Sequence, residues 1–231
     1  MQDEISVVVV SRDQDSPERG IAQHIQDTCG FPVKIFFVVN PAGVGLASIY
    51  HDMLRDLQSK YIVFMHDDVK FLRNGWGAEL ARIFDENPEY GILGVAGSAT
   101  FDEKGAWWLC DRRFGQVLHR HDGKSWLSAF SPLLDHDVEE VCVIDGLFIG
   151  VCKDRVKVNF DNMLNGFDFY DIDFCLGNFF EKSCKIGVTT NIRVAHESIG
   201  ELKDSWYVNK DIIMEKYDGK IPVSVNNKKK K

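Results

Sequence analysis

Apolar and polar residues alternate in blocks along the first hundred positions of this chain. Ile5–Val10 is a β-branched run, which predicts a buried strand. A polar loop, Ser11 to Pro17, follows, and Glu18–Thr28 predicts a helix stopped near Gly30 and Pro32. Val33–Val39 predicts a second strand, ending at Asn40-Pro41-Ala42-Gly43. Leu46–Lys60 places Leu46, Ile49, Tyr50, Met53, Leu54 and Leu57 at helical spacing. Tyr61–Met65 is a third apolar run. Strand, helix, strand, helix, strand predicts an α/β chain: a doubly wound, mostly parallel central sheet with helices on both faces.

The pattern loosens afterwards. Trp76–Asn87 predicts a helix closed by Asn87-Pro88, and Ile92–Ala96 a fourth strand. Gly97 to Leu134 is rich in Gly, Trp, Arg and His, and its weak periodicity predicts no element. Val138–Val151 predicts a strand broken at Asp145-Gly146. Phe169–Ser183 predicts a helix, Ile186–Thr190 and Ile192–Ala195 short strands, and Asp204–Lys216 a last helix. No internal repeat is visible. The expectation is one domain over residues 1–217, with halves 1–96 and 97–217, and a polar, Lys-rich tail or linker over 218–231.

Composition narrows the classes. The chain has 231 residues, 45% of them hydrophobic and 16 of them Phe, enough for a substantial core. A net charge of −8 argues against a nucleic-acid partner. The six cysteines show neither Cys-x-x-Cys nor zinc spacing, so they read as reduced thiols of a cytoplasmic protein. The N-terminus reads as lacking a signal peptide, and no apolar stretch approaches the roughly 20 residues of a spanning helix. Lys228–Lys231 offers peripheral contact with anionic lipid, against the plainer reading of a solvated tail.

Candidate chemistry sits where strands end. Tyr61–Met65 runs straight into His66-Asp67-Asp68. Adjacent half-buried carboxylates repel, and a hard divalent cation relieves both. In open α/β sheets, ligands bind beyond the carboxyl ends of the strands. The structural alternative is capping of the next turn. A second cluster, Asp168, Asp171 and Asp173, falls at the predicted start of a helix, where capping would need only one carboxylate. His196 ends another apolar strand.

The order of these motifs carries a resemblance. A strand ending in His-Asp-Asp is followed by Asp-Gly in a strand, by Gly-Phe-(x)₂-Tyr-Asp-Ile-Asp-Phe-Cys, and by a strand ending in His. From about residue 5 to 217 this resembles the inverting family 2 glycosyltransferases of GT-A fold, closest to a branch whose metal motif reads His-x-Asp-Val. The resemblance implies a smaller, mixed acceptor-side sub-region beside the sheet. It implies Mn²⁺ or Mg²⁺ as cofactor, with Asp68 and His196 as ligands and Asp171 as catalytic base, Asp173 being the alternative base. His66 stands where the common motif has Asp, and Tyr170 where it has Glu. Ser11, Arg12, Asp13, Asn40, His66 and Asp67 would face the nucleotide. Asp145, Gly146, Trp107 and Trp108 would face sugar or acceptor, although the tryptophans suit packing equally well. Arg112, Arg113, His119, Arg120 and His121 would meet phosphates or form a solvated face.

The implied reaction moves a sugar from a nucleoside diphosphate sugar, with a UDP-sugar favoured, to a hydroxyl on a glycan or glycoconjugate. Two other readings stay open. A nucleotidyltransferase would usually carry a Gly-rich basic loop after the first strand, and Ser11 to Ser16 has no glycine. A carbohydrate-binding protein that kept the fold without the activity would tolerate His66.

Overall fold

The computed structural model describes residues 4–11, 20–40, 43–198, 200 and 202–225. The first third follows the hydrophobic pattern: β1 (Ile5–Ser11), α1 (Ile21–Cys29), β2 (Val33–Val39), α2 (Leu46–Asp56) and β3 (Tyr61–His66). Next come β4 (Val69–Phe71), α3 (Trp76–Glu86), β5 (Tyr90–Gly94), β6 (Ala96–Ser98) and β7 (Thr100–Phe101). The unpatterned region holds β8 (Arg113–His121) and β9 (Lys124–Ala129). Beyond it lie β10 (Glu139–Val141), β11 (Val143–Ile144), β12 (Phe148–Cys152), α4 (Tyr170–Phe180), β13 (Lys185–Val188), β14 (Val194–His196), α5 (Asp204–Lys216) and β15 (Val223–Ser224).

Among the described residues, seven strands form the central sheet in the order β10-β13-β5-β12-β3-β1-β2. β1 lies parallel between β2 and β3, as the βαβαβ pattern requires. β12 enters antiparallel between β3 and β5, so the sheet is mixed rather than parallel throughout. Every residue from Tyr61 to Met65 is buried, which is why that run reads as continuous and apolar. The core continues from this sheet across both halves of the chain.

The second sheet, β11-β6-β8-β14-β4 with β9 paired to β8, was visible in the hydrophobic pattern at β11 and β14 but not at β8 and β9. β8 and β9 are half exposed and carry mixed side chains, so burial leaves only a faint alternation. One local signal was present. Asp122 and Gly123 both have positive φ, and this two-residue Asp-Gly turn joins His121 to Lys124 in register. The segment after residue 217 also carries structure: β15 pairs with β7, and Val225 is buried. The Lys-rich residues 226–231 lie outside the described residues.

α4 and α5 are clamped by one buried group. Asp173 is 2% exposed, accepts from the Tyr217 hydroxyl at 2.9 Å and pairs with Lys216 Nζ at 2.8 Å. Asp173→Ala would leave Tyr217 with only the backbone carbonyl of residue 173, at 3.2 Å, and Lys216 with Asp161 alone. Lys216 is 37% exposed and keeps a second partner, so the cost is that of lost hydrogen bonds to a charged group, about 1.5–3 kcal/mol. Urea unfolding should show a loss of that order; a loss below about 1 kcal/mol would refute the clamp.

Candidate active site

Strand registry assembles the first group. β4 is antiparallel to β14, with Val69 opposite His196. Asp68 immediately precedes Val69, and its carbonyl accepts from Glu197 N–H at 2.9 Å. His196 Nε2 therefore lies 3.2 Å from Asp68 Oδ1. His66, at the end of β3, brings its ring to 5.7 Å from that of His196. His66, Asp68 and His196 each present a ligand atom within 4.8 Å of the others. His66, assigned to the nucleotide from the sequence, thus joins this group.

The group fits a cation. Asp68 Oδ1 is buried, and the 3.2 Å approach of His196 Nε2 is an ion-pair contact without hydrogen-bond geometry. Such an atom is costly unless a charge compensates it. Burial opposes ionisation of Asp68, but His196 outweighs it, with Ser198 and His66 adding, and the carboxyl lies well below its usual range. Burial likewise disfavours the His196 imidazolium, yet Asp68 more than compensates and raises its pKa. His66 shifts down, chiefly through burial.

The second group forms where α4 begins. Phe169 precedes the helix in the left-handed region, at φ 66, and offers no side-chain cap. Asp171, in the first turn, is half-buried on the wall of the cavity described below. Burial first, and then the charge of Asp145, push its carboxyl up to about 7. Asp145 Oδ1 accepts from Leu147 N–H at 2.9 Å, which bends the chain between β11 and β12. Gly146 follows in the tightest spot. A Cβ there would overlap the Tyr170 hydroxyl and lie 3.1 Å from Asp171 Oδ2. The Tyr170 hydroxyl donates to Gly146 O at 3.1 Å and bonds His66 Nε2 at 2.9 Å. Burial raises the Tyr170 pKa well above the ordinary phenol value.

Both groups open into one cavity of about 400 Å³. His66, His196, Asp145, Gly146 and Asp171 line one side, and Trp107, Trp108, Phe130, Phe169 and Trp206 much of the rest. Trp107 is core as well as wall, 3% exposed and edge-on to Phe130 at 4.9 Å. Trp108 is partly buried and tilts against Trp206 at 6.2 Å. Asp173 does not line the cavity; the clamp of α4 to α5 occupies it.

The nucleotide-side expectations divide. Ser11 and Asp67 meet at the carboxyl ends of the neighbouring strands β1 and β3, where the Ser11 hydroxyl donates to Asp67 Oδ2. Asn40 is buried, and its amide closes on Val44, donating at 2.7 Å and accepting at 3.0 Å. That bonding occupies the amide expected to face the nucleotide. Arg12 and Asp13 lie outside the described residues.

The basic patch divides too. Arg113 donates to Trp108 O and Arg112 to Val225 O, both within the fold. His119 lines the cavity, beside His196 in the parallel register of β8 and β14. Its placement follows from β8, which the sequence pattern did not reveal.

A family model described as "Glycosyltransferase like family" matches residues 6–217. Comparison with curated protein sequences returned no significant match. Solved structures share the fold at low identity. GalNAc-T7, solved with UDP, GalNAc and Mn²⁺, aligns at 12% identity with TM-score 0.52, over 92% of this chain and 47% of its own. TarS residues 1–349 from S. aureus, in complex with UDP, aligns at 12% identity with TM-score 0.51, over 84% of this chain and 60% of its own. The mannosyltransferase PcManGT from Pyrobaculum calidifontis, in complex with GDP-Man and Mn²⁺, aligns at 7% identity with TM-score 0.51, over 89% and 60%. The chain thus spans about half to three fifths of these proteins. With a match over 212 consecutive residues, the chain belongs to the glycosyltransferase-like family.

Proposed function

We propose that the chain is a metal-dependent, inverting glycosyltransferase that moves a sugar from a nucleoside diphosphate sugar to a hydroxyl of a glycan or glycoconjugate. One observation carries the reading: a carboxyl raised to about 7 and the two histidines of a His/Asp/His group line one cavity. The two problems of the reaction, acceptor deprotonation and departure of the diphosphate, are thereby given to separate residues.

Asp171 is the base. Its pKa near the working pH suits proton abstraction from an acceptor hydroxyl, worth typically about 10²–10⁴-fold. Inversion places base and leaving group on opposite faces of the sugar ring, through a transition state with oxocarbenium character. Asp145, beside Asp171, raises its basicity and keeps Oδ2 for a sugar hydroxyl. The aromatic wall formed by Trp108, Phe169 and Trp206 offers apolar faces to a pyranose ring.

His66, Asp68 and His196 would hold the cation, which when bound supplies Lewis-acid stabilisation of the diphosphate. Two imidazoles and one carboxylate favour a transition metal such as Mn²⁺ over Mg²⁺, which prefers an oxygen shell. Ser11 and Asp67, at the ends of β1 and β3, form the floor for the nucleoside. UDP is favoured, since two of the three fold relatives were solved with it; the third carries GDP-Man. A UDP-sugar with Mn²⁺ should raise the melting temperature by mass action and yield slow, metal-dependent release of UDP. Release of no nucleoside diphosphate from any donor, with glycan binding retained, would instead make the chain a binding protein.

Asp171→Asn should lower kcat by about 10²–10⁴-fold and leave Mn²⁺-dependent UDP binding unchanged. Turnover near wild type would remove Asp171 from the mechanism. In wild type, the transfer rate should climb with pH through about 7, as the carboxyl ionises.

The same shift has a stability consequence of defined sign. A carboxyl whose folded pKa is raised favours the fold while it is protonated, and that contribution fades as pH rises from its ordinary value of 3.8 through about 7. Wild type should therefore lose melting temperature relative to Asp171→Asn between about pH 4 and pH 7, with little further change above. Parallel pH profiles of the two proteins would contradict the shift.

A further inference from the structure

We propose that Tyr170 is a positioning residue that locks His66 in its Nε2–H tautomer and so makes Nδ1 the nitrogen with a free lone pair. The importance of this lock for cation binding rests on the reading of His66, Asp68 and His196 given above.

The argument is a count of protons. The Tyr170 hydroxyl has one hydrogen to donate. Two acceptors lie within reach, Gly146 O at 3.1 Å and His66 Nε2 at 2.9 Å. A carbonyl has only lone pairs, so the contact with Gly146 is favourable only if the phenol proton lies there. The contact with His66 must then run the other way, from Nε2–H to the phenol oxygen. A neutral imidazole carrying its proton on Nε2 has its lone pair on Nδ1. Hydrogen bonds of this kind commonly set which nitrogen of a histidine meets a metal.

Packing makes the lock stiff. The Tyr170 ring is 4% exposed and stands edge-on to Tyr50 at 5.5 Å. Any side chain at 146 would collide with the hydroxyl, so the glycine is what lets the phenol sit against this turn. His66 N–H donates to Leu147 O at 3.2 Å, so backbone and side chain of His66 are both held by the Gly146–Leu147 turn and Tyr170. Residues 66 and 170 are over a hundred positions apart, and this bond is where their side chains meet. Each supplies what the other needs: a ring N–H at 66 and an acceptor at 170.

The tautomer can be read without metal. Long-range ¹H–¹⁵N spectra of the metal-free protein, at a pH where His66 is neutral, report both ring nitrogens; His66→Gln assigns them. The expected wild-type pattern is a protonated Nε2 and an unprotonated Nδ1. The opposite tautomer would overturn the proposal in wild type, without reliance on any variant. In Tyr170→Phe, which keeps the ring, the two nitrogens should move toward averaged shifts; an unchanged pattern would overturn the lock.

Mn²⁺ titration followed by electron paramagnetic resonance tests the consequence. Tyr170→Phe, folded by thermal melting, should bind Mn²⁺ about 10–100-fold more weakly. Affinity within twofold of wild type would overturn the positioning role. Wild type with the expected Tyr170-dependent tautomer but no Mn²⁺ binding would uphold the lock and sink the cation reading, so the two failures are separable.

Discussion

The site depends on one close approach, that of the Gly146 backbone to the Tyr170 hydroxyl. It joins two parts of the fold distant in sequence. Gly146 belongs to the turn that carries the chain from β11, in the second sheet, to β12, in the central one. Tyr170 opens α4. Once they meet, Asp145 and Asp171 must share a wall, and His66 is within reach of the phenol. A side chain at 146 would hold the two apart. The glycine is there because of the hydroxyl against it, in a turn whose bend is already set by Asp145.

That approach also sets the electrostatics. Two carboxyl groups of the site are pushed in opposite directions by their environments. Asp68 has histidine neighbours and stays ionised despite burial. Asp171 has burial and a second carboxylate beside it, and rises to about 7. Pairs of titratable groups driven apart in this way commonly mark a division between charge stabilisation and proton transfer. Neither shift follows from the motif alone; both follow from what registry and the Gly146 contact place around each group.

The sequence was most informative where burial was complete. Ile5–Val10 and Tyr61–Met65 are read correctly because a strand covered on both sides needs nearly unbroken apolar residues; Val33–Val39 is read from its apolar run although it lies half-buried at the sheet edge. The β8–β9 hairpin was unreadable by the same rule, since its faces are half exposed, and only the Asp122-Gly123 turn betrays it. His119 was missed as a cavity residue for that reason. Asp68 and His196 came together as the resemblance implied, whereas the contact of His66 with Tyr170 required the fold. Asp173 illustrates the limit of spacing: two positions from Asp171 on one helix, it faces α5 and a lysine rather than the cavity.

Phe169 shows what the fold does to keep this arrangement. A bulky residue in the left-handed region costs on the order of 1–3 kcal/mol and persists only where packing over-determines it. Phe169 is 3% exposed, with its ring 5.2 Å from that of Trp206 on α5. α5 is in turn tied to α4 through Asp173, Lys216 and Tyr217. The residue before the helix offers no side-chain cap, and within the first turn Asp171 Oδ1 accepts from Ile172 N–H at 2.9 Å. The helix start is further fixed by a strained residue pinned from α5, and that leaves Asp171 Oδ2 beside the Gly146 turn on the cavity wall. The last helix, remote from the cluster in sequence, thus holds the orientation of the base.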